Sequence, residues 1–261
     1  MPLPKAKTER ETNFLKKIFL IYGLPKIGKT TIASRFGDEQ NKVLFFATEA
    51  GHKEQEIYKW FVEETVESTD TKTGETKELT IQRDPSKWEH FKQCVVEVTK
   101  QNDFKCLIVD TADNLFDWCQ SYVRKRDGIA HESDLGFGKG YDALKKEFAA
   151  PINYLSQKGY GVIFLSHAKE MEVEEKNRKY NKIDTTLPNT AKKIIQPLAD
   201  YIFYFHADEN GKRLIRTKAT QTVSAGDRSG RLPELLPMDA EILINNLKNG
   251  GLANGSTNEL V

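Results

Sequence analysis

The sequence predicts an α/β fold, with a mostly parallel central sheet covered by helices on both faces. Three observations predict it. Short apolar runs recur at residues 18–22, 42–47, 106–109 and 161–166. Stretches with helical spacing of apolar residues separate them. Each run also ends in a polar landmark, in order Gly23, Glu49, Asp110 and His167. In such sheets ligands sit beyond the carboxyl ends of the strands, so these landmarks are expected on one rim.

The chain has 261 residues, which suits one α/β domain with embellishments. Residues 1–15 read as a flexible leader, 16–248 as the domain, and 249–261, rich in Gly and Asn, as a flexible tail. The first strand runs into Gly23-Leu24-Pro25-Lys26-Ile27-Gly28-Lys29-Thr30, which matches the phosphate-loop pattern G-x-x-x-x-G-K-[ST] at every fixed position. Glycines let the backbone wrap a phosphate with its N–H groups pointing inward. A helix starting at Thr31 adds its N-terminal partial positive charge.

After the second strand, Ile57, Trp60 and Phe61 predict a helix over 53–64. Residues 65–83 alternate around Thr73-Gly74 and predict an exposed hairpin insertion. Asp84-Pro85-Ser86 opens a helix that turns Trp88, Phe91, Val95 and Val98 to the core. The third strand ends at Asp110, and helices over 114–126 and 142–157 flank a glycine-rich irregular segment, 131–141. The fourth strand ends at His167. Residues 168–190 are highly charged with few apolar positions, which predicts a long mobile loop. Strands over 201–206 and 213–217 join at Asp208-Glu209-Asn210-Gly211, a hairpin signal, and a last helix covers 239–247.

Thirty-nine Lys and Arg balance 38 Asp and Glu, for a net charge of +1, so any basic surface must be local. The polar N-terminus does not resemble a signal peptide. No apolar run approaches the ~18–20 residues a bilayer requires, so no membrane partner is expected. Cys94, Cys106 and Cys119 have no metal-ligand spacing and read as buried thiols in a reducing cytoplasm.

The landmarks suggest a chemistry. Lys29 can reach the β- and γ-phosphates of ATP, while the Thr30 hydroxyl and the Asp110 carboxylate can hold Mg²⁺. Hydrolysis needs a base or a water-positioning group. Thr111, directly after Asp110, cannot serve. Glu49 is the better choice and Asp113 the reserve. His167 can hydrogen-bond the γ-phosphate and report its loss. His52, His90, His131 and His206 have no spacing that suggests a metal site.

Gly23–Thr30, Glu49 within Phe46-Ala47-Thr48-Glu49-Ala50, Asp110 and His167 resemble the RecA-like ATPase core. Gly138-Lys139-Gly140-Tyr141, Leu165-Ser166-His167, Ala199-Asp200-Tyr201, Thr217-Lys218-Ala219 and Gly226-Asp227-Arg228 resemble small phage nucleotide-binding ATPases. These include the RecA-like branch of phage single-strand annealing proteins. The resemblance covers residues 16–240, with His167 where the family usually has Gln. It implies a cytoplasmic ATPase using ATP and Mg²⁺, acting on single-stranded DNA in recombination or annealing. It further implies a ring or filament of identical subunits, and a single-strand binding protein as a partner. It makes Lys139, Tyr141, Lys176, Arg178, Lys179, Tyr180 and Lys182 candidates for DNA contact. It makes Lys218 and Arg228 candidates to act on a neighbour's nucleotide. Two other readings stand beside it. One is a nucleotide-gated loader of a replication protein. The other is a phosphate-loop kinase with residues 226–231 as a lid.

Overall fold

The computed structural model describes residues 11–69, 74, 76–85, 87–101, 103–175 and 178–249. In chain order the elements are β1 (Ile18–Gly23), α1 (Lys29–Ser34), β2 (Lys42–Ala47), β3 (Tyr58–Lys59), β4 (Val62–Thr69) and β5 (Thr76–Arg83). Then come α2 (Trp88–Gln101), β6 (Phe104–Asp110), α3 (Ala112–Asp127), α4 (Lys139–Gln157), β7 (Gly161–Glu175) and β8 (Arg178–Thr185). The chain continues with α5 (Asn189–Leu198), β9 (Tyr201–Ala207), β10 (Arg213–Arg216), β11 (Gly226–Asp227), β12 (Leu235–Pro237) and α6 (Ala240–Asn249).

The main sheet runs β12-β10-β9-β1-β7-β6-β2-β3. From β9 to β3 every pairing is parallel, while β10 and β12 add antiparallel strands at one edge. Successive side chains of a strand point to opposite faces, and the apolar runs divide accordingly. Leu20, Leu44, Phe46, Leu107, Val109, Val162 and Phe164 pack with residues of α2, α3, α4 and α5. Phe19, Ile21, Phe45, Ile108, Ile163 and Leu165 pack with residues of α1 and α6 on the other face. Both faces are covered, as the apolar runs predict. Among the described residues no helix is long and apolar enough to cross a membrane.

The structure corrects three expectations. Residues 53–64 form no helix. Instead Leu44 and Phe45 pair with Tyr58 and Lys59, and the Trp60 amide donates to the Phe45 carbonyl at 2.8 Å. The open edge of β2 offers ladder hydrogen bonds that outweigh the local helical spacing. The 168–190 segment is no mobile loop among its described residues. There β7 continues to Glu175 and pairs antiparallel with β8. Its charge reflects a solvated two-stranded ribbon. The leader is shorter than 1–15, because Phe14 and Leu15 are buried in the α1/α6 core. The rest of that leader, residues 1–10, and the tail from 250 lie outside the described residues. The insertion hairpin is present, as β4 paired with β5, and begins slightly earlier than expected.

Candidate functional site

Parallel strands bring their carboxyl ends to one edge, and β1, β7, β6 and β2 are consecutive in the sheet. Gly23 pairs with His167, and Ala47, just before Thr48 and Glu49, pairs with Asp110. The four landmarks therefore share the rim. A Cβ on Gly23 would run into the Phe205 carbonyl oxygen of β9, so only glycine fits there. Lys26, at φ 62°, and Gly28, at φ 118°, turn the loop through left-handed conformations.

Lys29 is buried, and its Nζ donates to the carbonyl oxygens of Gly23 at 3.0 Å and Leu24 at 3.1 Å. Burial pushes its ammonium below the usual lysine range, against the pull of Asp110, Glu49 and Asp113. The Thr30 hydroxyl donates to Asp110 Oδ2 at 2.7 Å. Burial raises the Asp110 carboxyl, opposed first by the Thr30 hydrogen bond.

Glu49 is held from several sides. Its Oε1 accepts the Thr111 hydroxyl at 2.8 Å and the Asn114 amide at 3.3 Å, with His167 Nε2 at 3.4 Å. Thr48 straps the strand ends together, accepting the Thr111 amide at 2.7 Å and donating its hydroxyl to the Thr111 carbonyl at 3.0 Å. The peptide bond between Asp110 and Thr111 is cis. Asp113 is engaged elsewhere, since its Oδ1 accepts the Thr186 hydroxyl at 2.6 Å.

A cavity of about 420 Å³ opens on this rim, lined by Pro25, Lys26, Gly28, Lys29, Thr30, Thr31, Glu49, Gly51, His52, Gln55, Asp110 and His167. Leu24 is exposed outside it, and Ile27 leans on the α1/α6 core. A family model described as an AAA domain matches residues 15–229. The chain belongs to the AAA domain family. No curated protein matches the chain. The matched span holds every rim residue, and the family is one of P-loop ATPases. The coarse function of this AAA domain is therefore nucleotide binding and hydrolysis, with the rim cavity as its candidate site.

Sequence reasoning missed four residues in or beside this site. His52 lines the cavity beside Asp110, and Gln55 donates to the Thr31 hydroxyl at 3.2 Å. A Cβ on Gly28 would lie 3.8 Å from Nη1 of Arg213 and 3.4 Å from Sδ of Met238. None of these follows a strand end in a legible motif, so only the folded chain brings them in.

Other predicted residues lie away from the rim. The Arg228 amide bonds to the Asp200 carbonyl at 2.9 Å, and Asp227 pairs with Tyr201. That is the start of β9, whereas the phosphate loop adjoins Phe205 near its end. In this conformation residues 226–231 lie at the opposite end of β9 from the phosphate loop of their own chain. Arg228 donates to the Pro197 carbonyl at 2.7 Å and to Asp200 at 3.3 Å, and Lys218 lies 3.8 Å from Asp227. Lys139 and Tyr141 stand in the first turn of α4, where Tyr141 is exposed.

The β7–β8 ribbon sorts its charges by face. Opposite residues of an antiparallel pair share a face. Lys169, Met171, Val173, Tyr180 and Lys182 fall on one face by register, together with Asp184, which is held by Lys192 at 3.0 Å. Glu170, Glu172, Glu174 and Lys179 fall on the other, where Lys179 pairs with Glu172 at 3.0 Å. Lys176 lies outside the described residues.

Proposed function

We propose that this AAA domain is a Mg²⁺-dependent ATPase in which Glu49 is the general base, and that it works on single-stranded DNA. The observation that carries the first part is the grip on Glu49. Thr111, Asn114 and His167 all meet its Oε1, and the residue lines the same cavity as Lys29 and Thr30. Among the described residues none of these bonds uses Oε2, which leaves that oxygen to take a proton from water. Asp113 does not line that cavity, which makes it the poorer choice.

The loop N–H groups and Lys29 bind the β- and γ-phosphates, Lys29 exchanging its carbonyl partners for phosphate oxygens. Thr30 and Asp110 fit Mg²⁺, because a hydroxyl and a carboxylate are hard oxygen donors and stand 2.7 Å apart. Bound there, Mg²⁺ would neutralise phosphate charge. His167 orients Glu49 and lines the same cavity, where it could hydrogen-bond the γ-phosphate. Thr186, which bonds the His167 carbonyl at 2.9 Å through its amide, joins this cluster to the end of β8.

The DNA part rests on the sorted ribbon. A face with Lys169, Tyr180 and Lys182 offers phosphate neutralisation and a surface for base stacking. A role in recombination or annealing rests on the likeness to phage annealing ATPases. The test is ATP turnover with and without single-stranded DNA. Stimulation supports this reading. Equal turnover with no DNA binding favours the nucleotide-gated loader.

A further inference from the structure

His52 carries chemistry that the proposed mechanism does not use. It follows Glu49 in the loop after β2, and its side chain is only 5 % exposed. Neither ring nitrogen has a hydrogen-bond partner among the described residues. A buried polar group without a partner is rare, and each case calls for a ligand or a water. The ring is fixed edge-on against Phe45, with centroids 5.8 Å apart. It also lines the nucleotide cavity.

Its Nε2 lies 3.8 Å from Asp110 Oδ2, the oxygen that accepts the Thr30 hydroxyl. That gap is too long for a hydrogen bond and suits one shared water. A neutral imidazole keeps one N–H to donate and one ring nitrogen to accept.

We propose that His52 is a positioning residue for the metal side of the site: with Asp110 it holds one water of the Mg²⁺ shell, and so sets how tightly Mg²⁺ joins bound nucleotide. This rests on the ATPase reading above. Groups that orient a metal's ligands typically change metal affinity 10–100-fold when removed.

The test titrates Mg²⁺ by calorimetry into the full chain holding a non-hydrolysable ATP analogue. His52→Ala is expected to weaken Mg²⁺ at least ~10-fold while binding of the metal-free analogue stays within about twofold. His52→Gln, whose amide reaches the Nε2 position, is expected to recover most of the affinity. Unchanged Mg²⁺ affinity in His52→Ala overturns the proposal. So does an equal loss with and without Mg²⁺, which would mark a packing role. If His52→Ala does not fold, His52→Gln and His52→Asn decide, because only the longer amide reaches the water. Equal Mg²⁺ affinity in those two overturns the proposal. Lys29→Ala is measured alongside. If it binds the analogue like the wild type, the nucleotide-site reading itself fails.

Discussion

Glu49 Oε1 lies 3.4 Å from His167 Nε2, although 118 residues separate them in sequence. The contact exists because β2 and β7 flank β6 and all three end at the same edge. It pairs the proposed base with the residue that follows the next apolar run but one. Thr111 and Asn114 reach the same oxygen from the start of α3, so α3 and β7 together fix one carboxylate.

Lys29→Ala is expected to abolish productive ATP binding. Lys29 is a buried cation at the mouth of the loop, and among the described residues its bonds are to loop carbonyls that phosphate can replace. Titration with a fluorescent ATP analogue checks this. Wild-type affinity in the variant would contradict the assignment.

The two faces of the β7–β8 ribbon are expected to differ. Replacing Lys169 and Lys182 with Ala removes two cations from the aromatic face. The slope of log K against log salt for single-stranded DNA should then fall by about 1.4, at roughly 0.7 per phosphate contact. Lys179→Ala, on the acidic face and paired with Glu172, should leave the slope unchanged. Equal effects would assign the ribbon to solvent.

A stability prediction concerns Glu132, buried at 1 % exposure and gripped by Arg124 at 2.8 and 2.9 Å. Arg124→Met removes the guanidinium and leaves that carboxylate only His131 Nε2, 3.8 Å away, which should cost about 3 kcal/mol in urea unfolding. The Arg124 hydrogen bond holds the Glu132 carboxyl below its ordinary value of 4.5. The pair's contribution is therefore complete above that value and fades as pH falls below it. Wild type and variant should converge in stability in acid. A constant gap down to pH 3 would contradict this.

The rim was legible because a buried parallel strand reads as a continuous apolar run, and a motif or carboxylate marks where it stops. Gly23, Glu49, Asp110 and His167 needed no knowledge of distant contacts. Residues 58–60 did, since their pairing with β2 is decided by an open sheet edge and not by their own spacing. The ribbon had a period-two signal in Glu170-Met171-Glu172-Val173-Glu174, which its charge content obscured. His52 carried no signal, because a single histidine in a glycine-flanked loop gains meaning only when folding brings it to Asp110.

The central claim is that Glu49 activates water in a site that binds ATP without it. Glu49→Gln keeps the shape and the hydrogen bonds to Thr111 and Asn114 but loses basicity. Single-turnover hydrolysis of ATP, with nucleotide affinity measured on the same sample, tests it directly. The account predicts wild-type affinity and hydrolysis slowed at least ~100-fold, the usual scale of a general base. Hydrolysis within a few-fold of wild type at full affinity would contradict it.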